Sequence, residues 1–159
     1  RSMAALGALA NCECDERFSA LKWFYNKARD EALVLDKWFA VQATSRLPNT
    51  IDDVTRLLEH DDFDIKNPNR VRAVIGAFCH SNQAGFHRAD GRGYEFGANQ
   101  VIALDRLNPQ IAARLARSFD RWRKFDTGRR IHAEAALARI RDTKDLSKDT
   151  FEVVNRALG

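Results

Sequence analysis

The sequence predicts an all-α protein, and three observations carry that prediction. Ala and Leu together number 37 against 15 for Val and Ile, a bias that favours helix over sheet. Apolar residues recur at steps of three and four along most of the chain, the spacing of one helical face. No segment keeps the strict alternation of a half-buried strand.

The elements follow in order. Met3 to Ala10 has helical composition. Between Asp15 and Ala28 the series Phe18, Leu21, Phe24 or Tyr25, and Ala28 marks one buried face. Leu33 and Leu35, followed by Trp38, Phe39 and Gln42, predict a second, more deeply buried helix. Pro48 ends it. Thr50 then reads as an N-cap with a carboxylate, Asp53, three residues on, and Ile51, Val54, Leu57 and Leu58 form the inward stripe. The next helix opens at Asn67-Pro68-Asn69 and turns Val71, Val74, Ile75 and Phe78 inward. Another runs from about Tyr94 to Leu107. Asn108-Pro109 is a cap followed by proline at the first helical position, and its helix buries Ile111, Leu115 and Phe119. Thr127 caps a helix with Ile131, Ala135, Leu137 or Ala138, and Ile140 inward; Ser147 caps the last, with Phe151, Val154 and Leu158 inward.

The result is about eight helices of roughly 9 to 16 residues joined by short connections. Short connections make consecutive helices antiparallel neighbours. No fixed period repeats, so the expected architecture is an irregular, HEAT-like superhelix of helix pairs. No Pro- or Gly-rich linker divides residues 1–159, which read as one helical domain. The longest irregular stretch is His80 to Gly93, read either as an Ω-like loop pinned by Phe86 or as a functional loop.

Composition narrows the class. The apolar fraction of 45% and a net charge of +4 exclude a disordered chain. No run approaches ~18 uncharged apolar residues, so no membrane span is expected. The N-terminus lacks a signal-peptide layout, and the only methionine, Met3, puts the natural start there or upstream, with a piece of a longer chain fitting equally well. The cysteines, Cys12, Cys14 and Cys79, are odd in number, and Cys12-x-Cys14 reads as too tight for a comfortable bridge. A reducing, cytoplasmic location is therefore expected.

Motifs for chemistry are scarce. His60, His80, His87 and His132 all lack an H-E-x-x-H context. A Cys12, Cys14, Cys79 and His80 zinc site has the right ligand types but matches no usual spacing. No phosphate-binding glycine loop or G-x-S-x-G elbow occurs; Gly91-Arg92-Gly93 is only a turn. Cys79 and His80, adjacent on a helix, point about 100° apart and do not face each other. No catalytic and no metal-binding residue is assigned.

Charge is uneven. Arg114 to Lys144 holds ten basic residues against four acids, while the remainder holds 16 against 18, so this stretch carries the whole positive excess. One reading makes it a nucleic-acid groove with Trp122 and Phe125 as stacking platforms. The favoured reading places both aromatics in the core and the arginines on a solvated face, because the aromatics continue the helical stripe.

Three blocks are more specific: Leu33-Val34-Leu35-Asp36-Lys37-Trp38-Phe39-Ala40-x-Gln42-Ala43; Asn67 to Phe78 continued by Ser81-Asn82, Phe86-His87 and Asp90-Gly91-x-Gly93-Tyr94; and Asn108-Pro109-Gln110-x-Ala112-x-Arg114-Leu115. Together, from about Met3 to the end, they resemble the C-terminal domain of bacterial alanyl aminopeptidase N, a zinc metallopeptidase family of the H-E-x-x-H class. The resemblance implies a helical superhelix capping the catalytic domain of a longer enzyme that removes N-terminal amino acids from peptides. Zinc and its ligands would then lie in that catalytic domain, with none in this chain. It implies further that Arg72 and Arg114 face the substrate cavity, where a permanently charged, bidentate guanidinium suits a peptide's trailing carboxylate. The partners implied are that catalytic domain and peptide substrates, with no nucleic acid and no membrane. A surface normally covered by the rest of the enzyme should also be bared. The rival expectation is a free-standing helical-repeat module whose basic face holds nucleic acid or an acidic partner; a reading frame upstream containing H-E-x-x-H separates the two.

Overall fold

The computed structural model describes residues 2–159, and among these every regular element is helical. Ten α-helices, one π-helix and two short 3-10 helices follow one another, and the chain divides into two compact units, residues 1–85 and 86–159.

The first unit is built on α3 (Ala32–Ala43), which packs against α1 (Met3–Ala10), α2 (Asp15–Ala28), α4 (Thr50–Leu57), α5 (Pro68–Val71) and the π-helix (Arg72–Ser81). Its apolar residues explain the central place: Leu35, Trp38, Phe39 and Ala43 are all buried, leaving α3 without a solvated face wide enough for the surface. Trp38 donates its indole N–H to the Leu21 carbonyl at 2.8 Å, meeting the need of a buried indole for a partner. Buried Asn82 donates to the carbonyls of Ala43 and Ser45 at 3.0 and 2.8 Å, closing the C-terminal end of α3. Two buried arginines are paired: Arg17 with Asp53 at 3.1 Å and Arg70 with Asp36 at 2.6 Å.

In the second unit α7 (Arg92–Asp105) packs on α8 (Pro109–Ala116) and α9 (Thr127–Arg141), and α10 (Lys148–Leu158) packs on both of those. Tyr94, Val101, Leu104, Leu115, Phe119, Leu137, Ile140 and Val154 fill the space between the four. Two glycines are needed here. Gly91 precedes α7 at φ +80°, in the left-handed region that favours glycine. Gly97 lets α7 approach an aromatic pair, because a Cβ there would lie 2.7 Å from the Phe86 ring and 3.4 Å from that of Phe119. Both rings are fully buried. Overpacking of roughly 1–3 kcal/mol outweighs the ~1 kcal/mol gain in helix propensity, so Gly97→Ala should destabilise. The check is urea unfolding: a lower midpoint at unchanged m-value is expected, and an unchanged midpoint would mean the rings yield freely.

The structure corrects several expectations. Most of the His80–Gly93 stretch is helical: the π-helix runs to Ser81, α6 covers Gln83–Phe86 and α7 starts at Arg92. The N-caps expected at Thr50 and Thr127 fall one residue earlier, at Asn49 and Asp126. Phe18 and Leu33, expected inside, are 68% and 74% exposed, and Ile131 and Phe151 also face solvent. Ile111 and Leu158 are half-buried. Cys12 and Cys14 are joined in a disulfide. The chain reverses between the last turn of α1 and the extended backbone of Cys14, bringing the two Cα atoms to 5.3 Å, inside the range a bridge requires. Among the described residues no helix is long and apolar enough to cross a membrane.

Candidate functional site

Arg72 opens the π-helix. That helix has Gly76 at its middle and turns Val74, Ile75, Phe78 and Cys79 into the core, so Arg72 is left on the outside. Its guanidinium donates to the Asn69 side chain at 2.9 Å. The spacing of Val71, Val74, Ile75 and Phe78 predicts an ordinary α-helix; the wider turn is a feature that sequence reasoning missed. Gly76, with little preference for the helical region, is the one local signal for it.

Arg114 lies in the last turn of α8. Asn108 caps that helix by accepting the Ile111 amide at 3.3 Å, with Pro109 following as predicted. Ala112, Leu115 and Ala116 take the core and Arg114 is exposed. It lines an open groove with Gln110, Arg117, Asp149, Glu152 and Arg156. Among the described residues Arg114, Arg117 and Arg156 form no ion pair within 4 Å. Three guanidiniums against two carboxylates leave the groove one positive charge. Arg117 follows from its spacing to Arg114, but Arg156 does not, because it reaches the groove only through the packing of α10 on α8. Arg72 and Arg114 belong to different units.

Of the two aromatics expected in the core, Trp122 is buried and Phe125 only half-buried. Trp122 also donates its indole N–H to the Ala157 carbonyl at 2.9 Å, so it offers no face to a nucleic-acid base. Phe125 lies against the His87 ring, centroids 4.0 Å apart and planes 17° apart. Two of the arginines serve local pairs, Arg129 with Asp126 and Arg141 with Asp142.

The histidines and cysteines are similarly engaged or apart. His60 packs among the rings of Tyr25, Trp38 and Phe39. The Nδ1 of His87 is 2.7 Å from the Tyr94 hydroxyl. His80 and His132 are exposed, His132 lying over Gly91. Cys79 is buried, and burial pushes its thiol pKa up, the wrong direction for a nucleophile. Among the described residues no three His, Cys, Asp or Glu side chains converge on a point that could hold a metal ion.

Helices paired with their sequence neighbours define a helical-repeat class of domain. A family model described as "Domain of unknown function (DUF3458_C) ARM repeats" matches residues 1–159. Aminopeptidase N of Escherichia coli (strain K12) is 38% identical over 157 residues, covering 99% of this chain and 18% of that protein. Aminopeptidase N of Caulobacter vibrioides is 41% identical over 143 residues, 90% of this chain and 17% of that protein. The crystal structure of Legionella pneumophila aminopeptidase A in complex with aspartic acid superposes with a TM-score of 0.92 at 33% identity, over 98% of this chain and 18% of that one. The chain belongs to this ARM-repeat family, that of the aminopeptidase N C-terminal domain. It spans less than a fifth of the length of the relatives it matches.

Proposed function

We propose that residues 1–159 work as one non-catalytic helical domain of a zinc-dependent aminopeptidase that removes N-terminal amino acids from peptides. In this reading the zinc belongs to a catalytic domain elsewhere in the same polypeptide. The present chain closes the cavity over that centre, and Arg72 and Arg114 supply it with positive charge. A cytoplasmic location belongs to the same reading. The observation that carries it is Arg114, exposed and without a carboxylate within 4 Å among the described residues, on a domain whose relatives are aminopeptidases. Exposed Phe18 and Leu33 in the first unit, and Leu107, Ile131 and Phe151 in the second, are surfaces for the rest of such a polypeptide to cover.

The physical argument for the arginine is one of length. An exopeptidase that grips the free amine of its substrate leaves a carboxylate trailing several residues away, and only a longer substrate presents it at a distance. In the full-length enzyme, Arg114→Ala should raise KM for a tetrapeptide about fivefold, the loss of roughly 1 kcal/mol from a partly solvated charge-assisted bond. Hydrolysis of a single-residue anilide should change less than about twofold, since it has no such carboxylate. Equal losses on both substrates, or no loss on the tetrapeptide, would overturn the cavity role.

A further inference from the structure

The turn between α1 and α2 carries Cys12-Glu13-Cys14, its two sulfurs joined. Both cysteines are half-buried and are flanked by exposed Asn11, Glu13 and Asp15, so a small thiol in solution can reach them. As a staple this bridge contributes little. The stabilisation a disulfide draws from the unfolded chain grows with the loop it closes, and a loop of three residues lies at the bottom of that scale.

The position nonetheless matters to the fold around it. The carbonyl of Ala10, at the end of α1, accepts the Ser45 hydroxyl at 2.5 Å and the buried Arg17 Nε at 3.2 Å. The Asn11 side chain accepts the Arg46 amide at 2.6 Å and donates to the Gly7 carbonyl at 3.1 Å. The Cys14 carbonyl accepts the Arg17 amide at 3.1 Å as α2 begins. Residues 10–14 are thus the latch that holds the connection between α3 and α4, and the sulfur–sulfur bond restricts the backbone of that latch.

We propose that Cys12 and Cys14 form a reversible thiol–disulfide site. It exchanges with a small monothiol and its disulfide, of the glutathione class, and its state sets how firmly residues 44–49 are held. The inference stands independently of the aminopeptidase reading. On oxidation the Cys14 thiolate, next to the free N–H groups opening α2, attacks one sulfur of the small disulfide. A mixed disulfide forms and one small thiolate leaves. The Cys12 thiolate then attacks the Cys14 sulfur, closing the bridge and releasing the second small thiolate. Two electrons pass from the cysteines to one small-molecule disulfide, and the two cysteine protons end on the two released thiols. Reduction is the reverse. The site thereby follows the standing thiol-to-disulfide ratio. Cys79, buried in the π-helix, takes no part and serves as an internal control.

The test equilibrates the folded protein in a series from oxidised to reduced glutathione, alkylates it under native conditions and weighs it intact. Zero added groups are expected at the oxidised end and two at the reduced end, in one step, with Cys79 unlabelled. Either single serine variant, Cys12→Ser or Cys14→Ser, should abolish the step and leave a glutathione mixed disulfide on the remaining cysteine. Amide hydrogen exchange across residues 44–49 should rise by about threefold or more on reduction, and equally in the double serine variant, while residues 86–159 stay unchanged. A pair that stays reduced in excess oxidised glutathione, or stays bridged in excess reduced glutathione, overturns the proposal. So does a bridge that switches with no difference in exchange at residues 44–49.

Discussion

Asp105→Ala is expected to remove about 4 kcal/mol of stability, because one buried carboxylate joins two helices that meet across more than forty residues of chain. Asp105 ends α7 and accepts the Ser147 amide at 2.7 Å, the Ser147 hydroxyl at 2.6 Å and the Thr150 hydroxyl at 2.6 Å. Ser147 is itself the N-cap of α10, accepting the Thr150 amide at 3.2 Å. The carboxylate thus both orients the cap and places negative charge at the positive end of α10. Each bond to an ionised acceptor is worth roughly 1.5–3 kcal/mol. They share one acceptor and are not additive, but the alanine variant also strands the Thr150 hydroxyl, which is fully buried. Asp105→Asn keeps one acceptor oxygen and should lose only about half as much. Urea unfolding of the three proteins reads this directly. A loss under about 1 kcal/mol for Asp105→Ala would mean that water replaces the carboxylate at no cost.

That junction also shows where sequence reasoning reaches and where it stops. Asn67, Asn108 and Ser147 are legible as caps because a side-chain oxygen stands before the helical stripe, twice with proline next in line, and all three accept amides from their first turns. Thr50 and Thr127 mislead because the residue before each, Asn49 or Asp126, is an equally good cap, and sequence alone does not rank two capable neighbours. In α9 two stripes compete. Leu137 and Ile140 of the expected stripe do pack, but Ile131 and Ala135 face solvent and Ala133 and Ala136 are buried in their place. Alanines serve at those two positions because α9 lies against both α7 and α10, where close approach limits side-chain size. What makes Asp105 a junction residue is invisible locally. Nothing near it in sequence names Ser147 or Thr150.

The candidate site divides in the same way. That Arg72 and Arg114 point away from the core follows from the stripes Val71, Val74, Ile75 and Leu115 that flank them, and both are exposed. The groove around Arg114 is tertiary, since Asp149, Glu152 and Arg156 arrive on α10. Spacing alone makes the C-x-C bridge look uncomfortably tight, because it carries no sign of the local chain reversal that brings the two cysteines together.

Acid should destabilise the second unit through His87 before it does so through the carboxylates. The His87 ring is buried among Phe86, Tyr94 and Phe125, and the residue's own carbonyl accepts Arg129 Nε at 2.6 Å. Burial, and after it the positive charge of Arg129, lower its pKa from 6.5 to about 4. In the unfolded chain the imidazole titrates near its ordinary value, so between pH 6.5 and pH 4 the unfolded state binds more protons than the folded one. Stability therefore falls as pH drops through that window and levels off below it. Asp90, Asp126 and Asp142 are held below their ordinary 3.8 by hydrogen bonds from Arg88, Arg129 and Arg141. Their contribution is present above that value and is lost only as pH falls further, so the two windows are separate. The His87 shift would be worth about 3 kcal/mol in a fully dry site, and partial solvation of Arg129 reduces this to about 2 kcal/mol between pH 7.5 and pH 4.5. His87→Phe keeps a ring stacked on Phe125 but cannot titrate; it should start less stable by about 1 kcal/mol, since the Tyr94 hydroxyl loses its partner. Its stability should then change much less across the same pH range, so that the two proteins cross at about pH 5.5 and the variant is the more stable by about 1 kcal/mol at pH 4.5. Unfolding curves that stay parallel from pH 7.5 to pH 4.5 would show that His87 is protonated in the folded state and that its burial carries no acid sensitivity.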